Sequence, residues 1–127
     1  MLLQKNAKFL VVDDDSTQLM IVGNMIGYAG FSNITCARDG REALTLLESE
    51  NFDCIISDFQ MPNMDGLELL AAVRQHIRLA NVPFVFTSGA LGKKSPQSAD
   101  IRMRALSLGA TACFAKPYTP AELFEVL

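Results

Sequence analysis

The chain has 127 residues, 11 Lys and Arg against 14 Asp and Glu, one His and a formal net charge of −3. Half of it is hydrophobic and a fifth is charged, which excludes a disordered chain and fits one domain whose core needs no disulfide or structural metal. The mild acidity excludes a protein that mainly coats nucleic acid, no run nears the ~18 apolar residues of a membrane span, and the start, MLLQKNAKF, lacks a signal-peptide core.

Residues 8–12 (KFLVV) read as a strand that runs into an acidic cluster. Residues 16–28 read as a helix capped by Ser16, with Leu19, Gly23 and Ile26 on one face. A short β-rich run follows at 33–37, then a helix over 40–50 with Ala43, Leu44 and Leu47 on one stripe. Residues 53–57 (DCIIS) form a third strand. Pro62, Asn63 and Gly66 mark the loop after it. Asp65 caps a helix predicted over 66–78, with Leu67, Leu70 and Val73 inward. Residues 83–87 (PFVFT) are a fourth strand, and 88–95 (SGALGKKS) a loop. Ser95-Pro96 opens a helix that runs to about Leu108 and stops at Gly109. Residues 111–115 are a fifth strand. Thr119-Pro120-Ala121-Glu122 is a capping box that opens a last helix.

Strand–helix units in strict alternation predict an α/β fold, a parallel sheet with helices on both faces. LVV, CII and FVF are continuous apolar runs, as strands buried on both sides should be. The expectation is a single domain over 1–127, with the last helix cut short and little helix to anchor Leu123, Phe124 and Leu127. Cys36, Cys54 and Cys113 lie far apart with no CxxC pair. They read as reduced thiols, small buried hydrophobes in a cytoplasmic protein.

Ligands of open parallel sheets bind beyond the carboxyl ends of the strands. Asp13, Asp14 and Asp15 follow the first strand there. Asp58 ends the third, Thr87 and Ser88 the fourth, and Lys116 the fifth, followed by Pro117. Converging carboxylates repel and raise each other's pKa values, unless a hard cation such as Mg²⁺ relieves them. A carboxylate beside such an ion can attack phosphorus, while a lysine and a hydroxyl neutralise the phosphoryl oxygens. The set is a parts list for phosphoryl transfer onto a carboxylate.

The stretches FLVVDDDS (9–16), ISDFQMPNMDGLELL (56–70), FTSG (86–89) and GATACFAKPYTPAEL (109–123) resemble the receiver domain of two-component response regulators, and within it the chemotaxis regulators. The resemblance implies the flavodoxin-like (βα)5 fold, with strand order 2-1-3-4-5. It implies Asp58 as phosphoacceptor and Mg²⁺ held by Asp13, Asp14, Asp58 and the backbone carbonyl of Gln60. Thr87 would give its hydroxyl to the phosphoryl group and Lys116 would pair with its oxygens. Lys116-Pro117 becomes a candidate cis peptide. The implied donor is a phosphohistidine on a sensor kinase or phosphotransfer protein. The implied output is a downstream protein or an attached effector domain, with no nucleic acid or membrane bound directly. The chain would not be an enzyme in the ordinary sense, catalysing only its own phosphorylation and dephosphorylation.

Three features depart from the family. Cys113 occupies a fifth-strand position that usually holds Tyr or Phe, and Phe114 beside it should face the other side of the sheet. The segment with Gly89, Gly92, Lys93, Lys94, Ser95 and Pro96 looks longer than in chemotaxis regulators, and is basic. Asp15 is an extra acid, which reads as a solvated residue or a cap for the first helix. Other classes fit less well. The Gly92 region fails the P-loop pattern, because Thr87 stands where its first glycine belongs and a second lysine precedes Ser95. Asp13 and Asp15 form the DxD of aspartyl-phosphate phosphohydrolases, but that leaves Asp58 and its MPNMDG loop unexplained. A receiver-like interaction module with weakened switching is favoured only by Cys113. The lone histidine, His76, reads as a solvent-facing residue near a helix end.

Overall fold

The computed structural model describes residues 3–92 and 94–126, so Lys93 and Leu127 lie outside the described residues. Five strands alternate with five α-helices: β1 Lys8–Val12, α1 Ser16–Tyr28, β2 Asn33–Ala37, α2 Gly40–Ser49, β3 Cys54–Asp58, α3 Gly66–Gln75, β4 Phe84–Ser88, α4 Pro96–Ser107, β5 Ala112–Ala115 and α5 Pro120–Glu125. All neighbouring strands are parallel, in the order β2-β1-β3-β4-β5. This is the flavodoxin-like arrangement.

The pleat divides the core in two, because successive strand side chains point to opposite faces. Leu10, Val12, Ile55, Phe84 and Phe86 pack with Leu47 of α2, Leu70 of α3 and Ile101 of α4. Phe9, Val11, Ile56 and Val85 pack on the other face with Leu19, Val22 and Ile26 of α1 and Leu123 of α5. Central strands β1, β3 and β4 are thus buried on both faces. Edge strands β2 and β5 are only partly covered.

The helix ends follow local chemistry. Asp65 and Glu68 form a reciprocal capping box, as do Thr119 and Glu122. Ser95 caps α4 with Pro96 in its first turn, and Gly109 sits at φ +103 just beyond its end. Such a φ suits a residue without a Cβ.

Several local expectations are corrected. Asp15, not Ser16, caps α1, because its carboxylate reaches the Thr17 N–H at 2.9 Å. Val22 rather than Gly23 completes the buried face of α1. The helix predicted to run to 78 ends at Gln75. A single 3₁₀ turn, Ile77–Leu79, follows exposed His76 and buries Leu79 while leaving Ile77 95% exposed. The 88–95 loop opens with another 3₁₀ turn, Gly89–Gly92, which buries Leu91. Cys36 is exposed, because β2 is an edge strand, whereas Cys54 is buried and Cys113 half-buried. Leu123 is anchored despite its short helix: it is fully buried, and Phe124 stacks on Phe31 with ring centroids 5.7 Å apart.

Candidate functional site

The parallel sheet brings the β1, β3, β4 and β5 ends to one edge, and Asp13, Asp14, Asp58 and Lys116 meet there. Asp13 follows β1 and is 4% exposed. Its backbone N–H donates to the Ala37 carbonyl, and its Oδ1 accepts the Asp15 N–H at 3.0 Å. Lys116 Nζ crosses from the end of β5, 2.7 Å from Asp13 Oδ2 and 3.2 Å from Asp58 Oδ1. It ties together residues from three strands, and the Lys116-Pro117 peptide beside it is cis. Asp13, Asp14 and Asp58 each bring a carboxylate oxygen within 4.8 Å of the other two. Asp14 is the exposed member. Asp15 is not part of this group, since its carboxylate turns back to α1.

Burial, then the charge of Asp13, holds the Asp58 carboxyl above its ordinary range, with Lys116 pulling the other way. Burial alone would lower the pKa of Lys116. The Asp13 hydrogen bond and the two carboxylates outweigh it and raise that pKa, so the ammonium stays charged. Three carboxylates face one lysine, an excess of hard oxygen donors that suits Mg²⁺. Thr87 is 2% exposed, and its hydroxyl donates to the Ser57 carbonyl at 3.3 Å, a long bond. Ser88 is also buried, and its carbonyl accepts the Lys116 N–H at 3.1 Å. Gln60 lies exposed in the loop 59–65 between β3 and α3.

A family comparison agrees with this geometry. The response regulator receiver domain family matches residues 9–127. The chain belongs to that family. It is 36% identical to the chemotaxis protein CheY of Pseudomonas aeruginosa over 118 residues, covering 93% of this chain and 90% of that one. The structure of the chemotaxis response regulator CheY4 of Vibrio cholerae superposes with a TM-score of 0.83, at 33% identity, covering 96% of this chain and 99% of that chain. A CheX–CheY–BeF₃–Mg²⁺ complex from Borrelia burgdorferi gives a TM-score of 0.81 at 27% identity, covering 94% and 85%. The chain is a receiver domain of the CheY-like response regulators.

On β5, Cys113 packs with the Leu10 cluster. Phe114 faces the other way and stacks on Tyr118, with centroids 5.6 Å apart. The Cys113 carbonyl accepts a hydrogen bond from Arg102 of α4 at 3.0 Å.

Three features escaped the sequence reading. Gly66 begins α3 so close to β3 that a Cβ there would overlap the Asp58 carbonyl oxygen, and its N–H donates to the Phe59 carbonyl at 2.7 Å. The Asp-Gly pair marks a turn but not this approach. Tyr118 is buried, and its hydroxyl has no partner among the described residues. Burial above all, then the charges of Asp13 and Asp58, pushes its pKa up. A mostly apolar cleft of about 240 Å³ opens between Ile21, Val22 and Met25 of α1 and the Lys116–Tyr118 segment. No residue type announces it, because it depends on how α1 lies beside the segment that follows β5.

Proposed function

We propose that this receiver takes a phosphoryl group onto Asp58 from a phosphohistidine on a sensor kinase or phosphotransfer protein. The observation that carries the reading is Lys116 Nζ bridging Asp13 and Asp58 inside a cluster of three carboxylates. Lys116 meets the Asp58 carboxylate at Oδ1, and one oxygen of this carboxylate is the attacking atom. A bond forms from this oxygen to phosphorus while the bond from phosphorus to the donor nitrogen breaks, and its electron pair returns to the imidazole. Asp13, Asp14, Asp58 and the Gln60 carbonyl would hold Mg²⁺, which when bound offsets the crowded negative charge of carboxylates and phosphoryl oxygens.

Lys116 would then neutralise a phosphoryl oxygen. Thr87 would leave its long bond to Ser57 and move so that its hydroxyl serves another. That movement alters β4 and the 3₁₀ turn after it, shifting a two-state equilibrium at a partner-binding surface. The chain acts on itself rather than turning over a separate substrate. A cytoplasmic setting fits this donor chemistry. Cys113 favours a second reading, in which phosphorylation is intact but coupling to the output surface is weak.

The test uses phosphoramidate, which shares the phosphorus–nitrogen bond of phosphohistidine, with and without Mg²⁺, followed by intact mass measurement. One phosphoryl adduct is expected with Mg²⁺, lost in Asp58→Asn and labile to hydroxylamine. Uptake by Asp58→Asn, or no adduct on the natural chain, would overturn the assignment. Rapid turnover of many phosphomonoesters would instead indicate a phosphohydrolase.

A further inference from the structure

The loop 59–65 carries Gln60 and joins Asp58 to α3. Its far side is gripped by the start of α2. Asp39 Oδ2 accepts the Asn63 side-chain N–H at 2.8 Å, while its Oδ1 caps α2 through the Glu42 N–H at 2.8 Å. The next residue, Gly40, donates its N–H to the Met64 carbonyl at 3.0 Å. An N–H of the first helical turn, normally left without an intrahelical partner, thus closes on the loop. A Cβ on Gly40 would lie 2.7 Å from both Met64 Cγ and Met64 O, so only glycine fits. Asn63 itself sits at φ +67, a conformation that asparagine tolerates better than most residues. Among the described residues, these two hydrogen bonds tie the loop to an element other than its own strand and helix.

We propose that Asp39, acting through Asn63 with Gly40 on Met64, is a positioning residue that fixes the loop carrying Gln60 and so sets how tightly the acidic site holds Mg²⁺. The inference rests on the proposed reading of that site. Asp39 contacts no reacting atom, so its effect travels through the loop backbone. The Glu42 and Asn63 hydrogen bonds also hold its carboxyl below the usual range, which keeps it an acceptor.

Two substitutions separate the clamp from helix capping. Asp39→Ser keeps a side chain that caps α2 but is too short to reach Asn63. Asn63→Gly keeps the positive φ and removes only the amide. The assay is Mg²⁺ titration of the unphosphorylated chain, followed by amide NMR shifts at Asp13, Asp14 and Asp58. Both variants should bind Mg²⁺ roughly tenfold more weakly, the low end for residues that orient metal ligands. Hydrogen exchange at the Gly40 amide should quicken in Asn63→Gly. Asp39→Asn, whose side-chain N–H can donate to the Asn63 amide oxygen once that amide turns over, should restore natural affinity. A merely structural role would move the melting temperature without this pattern of loss and rescue. Unchanged Mg²⁺ affinity in both variants overturns the clamp while leaving the site reading intact. No Mg²⁺-dependent shift in the natural chain overturns the site reading, and the clamp with it.

Discussion

The close approach of α3 to β3 makes Gly66 the most sensitive position beside the site. In Gly66→Ala the new methyl would overlap the Asp58 carbonyl oxygen and lie 3.0 Å from Phe59 Cα and 3.1 Å from the Asp58 carbonyl carbon. Relaxed carbon contacts need ~3.5–4.0 Å. All three neighbours are main-chain atoms, so no side chain can rotate out of the way. Helix α3 must retreat and stretch the Gly66 hydrogen bond to Phe59. Overpacking costs about 1–3 kcal/mol, and a weakened hydrogen bond about 1 kcal/mol more. The sum, about 2–4 kcal/mol, is a large part of a domain stability of ~5–15 kcal/mol. It should lower Tm by roughly 6–20 °C for a chain of this size. Gly23→Ala is the control. Gly23 lies inside α1 with nothing within 4 Å of the added Cβ, and alanine there should stabilise by about 0.5–1 kcal/mol. Thermal unfolding by circular dichroism reads both. The same chemical change should have opposite signs at the two glycines. A Gly66→Ala chain that melts with the natural one would refute the packing account.

Other outcomes follow from the same contacts. Asp58 has its folded pKa raised above the unfolded value, so its favourable contribution is present below about pH 3.9 and lost as pH rises through the folded pKa. Asp58→Asn should therefore raise Tm at pH 7, with the gain shrinking as melts are repeated toward pH 4. A gain independent of pH would contradict the burial and Asp13 argument. Tyr118→Phe removes a buried hydroxyl without a partner among the described residues and should stabilise by up to about 1 kcal/mol in urea unfolding. A loss of similar size would mean that the hydroxyl has a partner after all. Cys113→Tyr restores the aromatic at the half-buried β5 position. It should enlarge the phosphorylation-dependent NMR shifts of α4 and leave the rate of adduct formation at Asp58 unchanged. An unchanged α4 response would show that this chain signals through another face.

Much of this was legible in the sequence because it depends on local pattern. The continuous apolar runs marked the strands buried on both faces, and Asp65 and the Thr119–Glu122 pair placed two helix starts. The grouping of Asp13, Asp14, Asp58 and Lys116 was legible because each ends or follows a strand, and parallel strands share one carboxyl edge. What escaped depends on distances between elements. Asp15 and Ser16 are both good caps, and only the backbone decides between them. The periodic pattern of α3 continues through Ile77, yet the helix breaks at His76 so that Leu79 can turn into the core. Gly40 and Asn63 look like ordinary turn residues until the Met64 carbonyl is placed over the start of α2. The exposure of Cys36 follows from the position of β2 at the sheet edge, which no single residue encodes.

Asp58 itself is the residue proposed to become the acyl phosphate. The direct measurement is to load the chain with phosphoramidate and Mg²⁺, reduce with borohydride, and map peptides by mass spectrometry. Borohydride converts an aspartyl phosphate to homoserine at the modified position. Homoserine at position 58, absent when phosphoramidate is omitted, is the predicted result. Homoserine at position 13, 14 or 15, or phosphate retained on His76, would contradict it.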